Sequence, residues 1–166
     1  PHEIANVLGK EGIDFMIKSG RQIRFNFCFG APSCVPSCSE DIETSGATLD
    51  SKNIAELMAR DDIGFLAEMM NYPGVLAQDK EVMAKISAAI AQGKPVDGHA
   101  PGLTLEQRRQ YAQAGITTEH ECVTLDEARD CVAAGMLVQI REGSAAKNYE
   151  ALIPLLKEHP ESVMFC

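Results

Sequence analysis

The sequence predicts an α/β fold, a partial (β/α)8 TIM barrel of about six βα units. Three observations carry that expectation. Short apolar or β-rich runs alternate with amphipathic helical patterns along all 166 residues. The expected strands end at residues 29, 68, 99, 121, 142 and 166, so the last three steps are 22, 21 and 24 residues, the repeat of consecutive βα units. No G-x-G-x-x-G or Walker loop follows any strand, which argues against an open doubly wound sheet. A complete barrel takes about 250 residues, so the chain amounts to about two thirds of one.

Taken in order, strands are expected over Ile23–Phe29, Ile63–Glu68, Val96–His99, Ile116–Glu121, Leu137–Glu142 and Ser162–Cys166. Helices are expected over Ile4–Lys18, Ser51–Arg60, Asp79–Gln92, Thr104–Gln113, Leu125–Ala134 and Tyr149–His159. Gly20, Gly93, Gly115 and Gly135 each follow a helical pattern and precede a strand, where a left-handed cap is sterically cheap. Thr104 and Thr124 stand at N-cap positions, with Glu106 and Glu127 in or near the first turn. Val82, Ile86, Ala89 and Ile90 recur at helical spacing, so one face of that helix is expected to pack on a sheet. The chain begins at Pro1 without an initiator Met and stops at Cys166, directly after Val163-Met164-Phe165, and so reads as an internal piece of something longer.

Composition narrows the partners. With 15 basic and 24 acidic side chains the formal charge is −9, which repels phosphate backbones and anionic lipid, so no nucleic acid and no membrane are expected as partners. No apolar run approaches the roughly 18 to 20 residues that cross a bilayer, and the amino terminus is not an export signal. Of six cysteines, Cys28, Cys122, Cys131 and Cys166 sit in apolar or helix-like settings, so they read as reduced thiols of a cytoplasmic protein rather than a disulfide framework. Cys34 and Cys38 have a C-x3-C spacing with no second pair at zinc-ribbon distance, and read as loop residues.

In parallel barrels the chemistry sits at the carboxyl ends of the strands. Three successive strands here end in polar residues: Glu68, then Gly98-His99-Ala100-Pro101-Gly102, then Glu119-His120-Glu121-Cys122. A carboxylate and two imidazoles suit a divalent metal, with zinc, manganese and iron all acceptable. A single strand-end histidine is commonly structural, but three such ends in a row favour a site. His159, before Pro160, is read as a helix C-cap and not as a ligand. The stretch Arg141-Glu142-Gly143-Ser144-Ala145-Ala146-Lys147-Asn148 follows a strand and divides evenly between capping and substrate contact, and Glu43-Thr44-Ser45-Gly46 reads as a turn.

Six motifs taken together resemble the bacterial adenine deaminases of the amidohydrolase superfamily. They are Pro1-His2-Glu3-Ile4-Ala5-Asn6-Val7, Gly30-Ala31-Pro32-Ser33-Cys34-Val35-Pro36, Leu66-Ala67-Glu68-Met69-Met70-Asn71-Tyr72-Pro73-Gly74-Val75, Gly98-His99-Ala100-Pro101-Gly102, His120-Glu121 and Arg141 to Asn148. They run from end to end of the chain. The resemblance implies the central part of a metal-dependent catalytic barrel, residues 1–166, without its first strand or strands and without the segment after the last one. It implies hydrolysis of adenine, a small purine base, to hypoxanthine and ammonia, and a binuclear divalent metal centre of manganese, iron or zinc. It assigns Glu68, His99 and His120 as metal ligands, with Glu68 and His120 catalytic, and leaves His2, Glu121 and Ser144 as substrate-binding or ligand-orienting residues.

The family's His-x-His pair and its late Asp have no counterpart in the sequence, so the isolated chain is expected to be inactive or nearly so. Two other readings stand beside this one: a different amidohydrolase activity on a cyclic amide or another aminopurine, and a non-catalytic truncated domain. Exposed strand edges near Ile23–Phe29 and Val163–Cys166 make a homo-oligomer the expected state.

Overall fold

The computed structural model describes residues 2–38 and 42–166. The chain divides into two compact units, Pro1–Val96 and Asp97–Cys166.

The first unit opens with α1 (His2–Leu8) and α2 (Lys10–Gly20). One helix was expected over Ile4–Lys18, but Gly9 takes φ 58° and breaks it, a conformation open to glycine and costly for most other residues. Gly20 was expected as a left-handed cap, yet α2 ends on Arg21 in the right-handed region. A Cβ at Gly20 would stand 2.7 Å from the Phe29 ring, so packing accounts for that glycine.

The expected strand Ile23–Phe29 is not a strand. Only β1 (Gly30–Pro32) pairs, in parallel with β2 (Phe65–Met69), Gly30 opposite Phe65 and Pro32 opposite Ala67. Ahead of β1, the Gly64 N–H reaches the Phe29 carbonyl at 2.7 Å and the ladder goes no further. The alternating Phe25, Phe27 and Phe29 pack on one another instead, the first pair tilted and the second stacked, with ring centroids 4.8 and 5.5 Å apart.

Between the strands α3 (Ser51–Met58) starts from a capping box of Asp50 and Asn53. Its last turn is closed by Lys94, whose ammonium donates to the Met58 and Arg60 carbonyls at 2.6 Å each. After β2 comes an unanticipated short helix, α4 (Tyr72–Leu76), capped by the Asn71 side chain. Pro73 stands in its first turn, where a residue without a backbone N–H is at home. In α5 (Lys80–Ala91) Val82, Ile86 and Ala89 are buried as expected, whereas Ile90 is exposed. These side chains and Ile54, Leu57, Met58, Leu66 and Met69 form the core of this unit.

The boundary between the units falls inside β3 (Val96–Gly98). In the second unit β4 (Thr118–Glu119), β5 (Leu137–Ile140) and β6 (Val163–Phe165) form a parallel sheet in the order β4-β5-β6. The end of β3 is fastened by Asp97, which accepts from the Thr118 hydroxyl and, at 2.9 Å, from the Gln139 amide. The helices α6 (Leu105–Gln113) and α7 (Leu125–Ala133) begin at the expected caps Thr104 and Thr124, each a full capping box with Gln107 or Glu127. Gly93, Gly115 and Gly135 take positive φ, as anticipated.

The helix expected over Tyr149–His159 is two, α8 (Tyr149–Leu152) and α9 (Leu155–Glu158), because Pro154 cannot donate a helical hydrogen bond. His159 is the C-cap of α9. The core here is Tyr111, Ile116, Ala128, Cys131, Met136, Val138, Ile140, Leu152 and Leu155.

The observed class is α/β with parallel sheets. No helix among the described residues is long and apolar enough to cross a membrane.

Candidate metal centre

In the first unit Glu68 lies in β2, next to the strand's last residue, at φ 27°. That left-handed backbone costs a non-glycine residue on the order of 1–3 kcal/mol, and such strain gathers at functional positions. The segment after β1 holds it in place: the Ser33 hydroxyl donates to the Glu68 carbonyl at 2.6 Å and the Ser33 N–H to the Ala67 carbonyl at 3.2 Å. Glu68 lines a cleft of about 330 Å³ together with His2, Asn6, Cys34, Ser37 and Glu43. His2 therefore shares a cleft with Glu68, although 66 residues separate them in the chain.

Glu43 was read only as part of a turn. It accepts from the Ser37 hydroxyl at 2.6 Å, the Cys38 N–H at 3.0 Å and the Asn6 amide at 2.7 Å. The Ser37 hydrogen bond, then that from Cys38, holds its carboxyl below the ordinary carboxylate range.

In the second unit His99 follows β3 and His120 follows β4, and their side chains meet. His99 Nδ1 lies 3.3 Å from His120 Nε2, with the rings edge-on at 69°. Glu121 Oε1 stands 3.6 Å from the first nitrogen and 3.4 Å from the second. Arg141, just beyond β5, grips Glu121 with both guanidinium arms, Nη1 to Oε1 at 2.6 Å and Nη2 to Oε2 at 3.2 Å. A planar fork on a carboxylate fixes orientation as well as charge.

Backbone contacts complete the support. The His99 N–H donates to the buried Tyr111 hydroxyl at 3.1 Å. The Glu121 N–H donates to Glu119 Oε1 at 2.6 Å, and Glu119 is fully buried with Oε2 unpartnered. Asn148 accepts the Arg141 N–H at 2.6 Å and donates to the Cys122 carbonyl at 2.9 Å. Ser144 is exposed, in a turn closed by the Gly143 N–H on the Ala146 carbonyl. Among the described residues no hydrogen bond or ion pair joins Ser144 to the histidine cluster.

Arg141 and Asn148 belong to the stretch read as capping or substrate contact, with no role given to either, and Glu119 and Tyr111 were not singled out from sequence. Arg141 had a usable signal, a charged residue directly after a strand. Tyr111, inside a helix, had none.

The histidine pair fits a divalent cation by its chemistry. Two imidazole nitrogens at about 2.0–2.1 Å from one tetrahedral ion stand roughly 3.3 Å apart. The observed separation is 3.3 Å. Glu121 Oε1 lies beside these same two nitrogens, so its carboxylate faces the position the cation would take.

Residues 1–166 match the family model described as the amidohydrolase family. The chain belongs to the amidohydrolase family. Three relatives bearing the name adenine deaminase illustrate its nearer kinship: those of Salinibacter ruber at 56% identity, Parabacteroides distasonis at 54% and Methanosarcina mazei at 49%. Each comparison covers all of this amidohydrolase chain and 30% of the relative, so the chain spans about a third of the length of the curated relatives it matches.

Proposed function

We propose that residues 1–166 are the central part of the (β/α)8 catalytic barrel of a metal-dependent hydrolase that converts adenine to hypoxanthine and ammonia. The observation that carries this reading is the His99–His120 donor pair at the ends of successive strands, with the Glu121 carboxylate, fixed by Arg141, beside it. Family membership and the names of the relatives support it.

In this reading Glu68, His99 and His120 hold a divalent cation, manganese, iron or zinc, as part of a binuclear centre. The strained backbone of Glu68 supports its inclusion. When bound, the cation supplies Lewis acidity and lowers the pKa of water into the neutral range. Glu68 and His120 act in catalysis as ligands, and His99 completes the set. Glu121, immobilised by Arg141 beside the donor pair, is assigned to contact the substrate or to support the ligands. His2, which shares the Glu68 cleft, and Ser144 are assigned to contact the base. A cytoplasmic setting and a homo-oligomeric state belong to the same reading. The six free cysteines support the first, and the exposed Ile23, Phe25 and Phe27 support the second.

The test is ammonia release from adenine by the full-length protein that contains this chain. Glu68→Gln, His99→Ala and His120→Ala are each expected to lower kcat/KM and bound metal by at least about 100-fold with the circular dichroism spectrum retained. The isolated chain is expected to release no ammonia in metal-replete buffer. If adenine were inert in the full-length protein while a cyclic amide or another aminopurine was hydrolysed, the substrate assignment would fall and the fold assignment would stand.

A further inference from the structure

Behind the histidine cluster the second unit holds two thiols and a cation that the proposed hydrolysis does not use. Cys122 Sγ and Cys131 Sγ are 3.3 Å apart, and both residues are buried, at 1% and 0% exposure. Arg108, 1% exposed, donates from Nη1 to Cys131 Sγ at 3.0 Å. Its Nε and Nη2 find no hydrogen-bond acceptor, Nη2 lying 4.0 Å from Glu127. A guanidinium kept out of water with two of its nitrogens lacking an acceptor stabilises negative charge on a sulfur, or on an oxygen newly attached to it.

We propose that Cys122 and Cys131 are a peroxide-responsive thiol pair whose oxidation to a disulfide displaces the strand end that carries His120. The chemistry closes with hydrogen peroxide as the oxidant. Cys131 sulfur attacks one peroxide oxygen; an S–O bond forms, the O–O bond breaks, and the departing hydroxide takes the thiol proton and leaves as water. The resulting sulfenic acid sits beside Arg108. Cys122 sulfur then attacks Cys131 sulfur; the S–S bond forms, the S–O bond breaks, and the hydroxyl departs as water with the Cys122 proton. Two thiols and one peroxide give one disulfide and two waters, the sulfurs losing the two electrons that the peroxide gains.

Closing 3.3 Å to a disulfide bond of about 2.05 Å requires the sulfurs to approach by about 1.2 Å. Cys131 is embedded in α7, which is anchored by its capping box, so the movement falls on the loop at Cys122. Cys122 is two residues beyond His120, and its carbonyl is tied through Asn148 to Arg141, the residue that grips Glu121. Oxidation therefore reaches the imidazole pair through a short, fully bonded route. The burial of both sulfurs also selects the oxidant: peroxide is close to water in size, whereas a glutathione disulfide must bring its whole body to the sulfur.

The test is made on the metal-free full-length protein that contains this chain and reads thiols and imidazoles, so its outcome is independent of the proposed hydrolysis. After hydrogen peroxide treatment and alkylation of the remaining thiols, non-reducing peptide mass spectrometry is expected to find the Cys122 and Cys131 peptides linked, with both thiol hydrogens lost. Glutathione disulfide is expected to label the exposed Cys28, Cys38 and Cys166 and leave the pair reduced. In the same samples the imidazole resonances of His120 are expected to shift on oxidation and return with dithiothreitol, while those of His159 stay in place. C122S and C131S abolish both effects, and R108Q slows the linkage. Alkylated Cys122 and Cys131 after peroxide, links to other cysteines instead, or a linked pair with unmoved His120 resonances would each overturn the proposal.

Discussion

Asp62 shows how far a single side chain can be governed by its neighbours. Arg60 reaches it with Nε to Oδ1 at 2.9 Å and Nη2 to Oδ2 at 3.2 Å, and Arg21 adds Nη2 to Oδ2 at 2.9 Å. The Arg60 hydrogen bonds hold the Asp62 carboxyl below its ordinary value of 3.8, against the opposing effect of burial. Asp62 in turn pushes the Arg60 guanidinium upward. A carboxyl with a depressed folded pKa contributes stability that is fully present above the unfolded value and is lost as pH falls through the folded one. Glu127 behaves alike: burial alone would raise it, but the N–H groups of Val123 and Thr124, the Thr124 hydroxyl and Arg108 outweigh that and leave it low. Asp62→Asn should therefore cost stability near pH 7 and cost progressively less below about pH 3.8. Urea titrations at the two ends of that range measure the narrowing gap, and a constant gap would show that the ion pair contributes nothing.

Elements in this chain are delimited by short-range chemistry. Thr104 accepts the Gln107 N–H at 3.3 Å and Gln107 reaches back to the Thr104 N–H at 3.0 Å, so two otherwise orphaned donors at the start of α6 are satisfied. The same helix carries Arg108 and Tyr111, the latter receiving the His99 N–H. Thr104→Ala is expected to destabilise the protein by about 1 kcal/mol, with Thr104→Ser restoring most of it. Hydrogen exchange should speed up at the Gln107 amide first. Unchanged exchange there, with stability still lost, would place the role of Thr104 elsewhere than the cap.

Across the whole chain two opposing surface properties meet. The formal charge of −9 keeps copies apart. Ile23, Phe25 and Phe27 are 59%, 69% and 47% exposed on one stretch, an apolar surface that favours association. Because charge repulsion is screened by salt and apolar burial is not, self-association is expected to strengthen from low to moderate ionic strength. Sedimentation equilibrium should report masses rising above 18.0 kDa with concentration, and Phe25→Ser with Phe27→Ser should return the chain to that value. A mass of one chain at every concentration and salt would remove the exposed stretch as an association surface.

What the sequence determined alone is whatever local chemistry decides. The α/β class followed from periodicity, the starts of α6 and α7 from Thr104 and Thr124, and three helix ends from Gly93, Gly115 and Gly135, because caps and amphipathic stripes act within a few residues. The position of His99 and His120 at strand ends was legible for the same reason. Only the tertiary structure decided what depends on distant partners. Residues 23–29 alternate like a strand but lack a ladder beyond the Phe29 carbonyl, and a strand without a partner leaves its backbone unpaired. The 3.3 Å approach of the two imidazoles, the Arg141 fork on Glu121 and the Cys122–Cys131 contact all join residues brought together by the folding of β3, β4, α7 and β5. Side-chain direction and non-local closure are products of packing, and no local pattern in the chain encodes them.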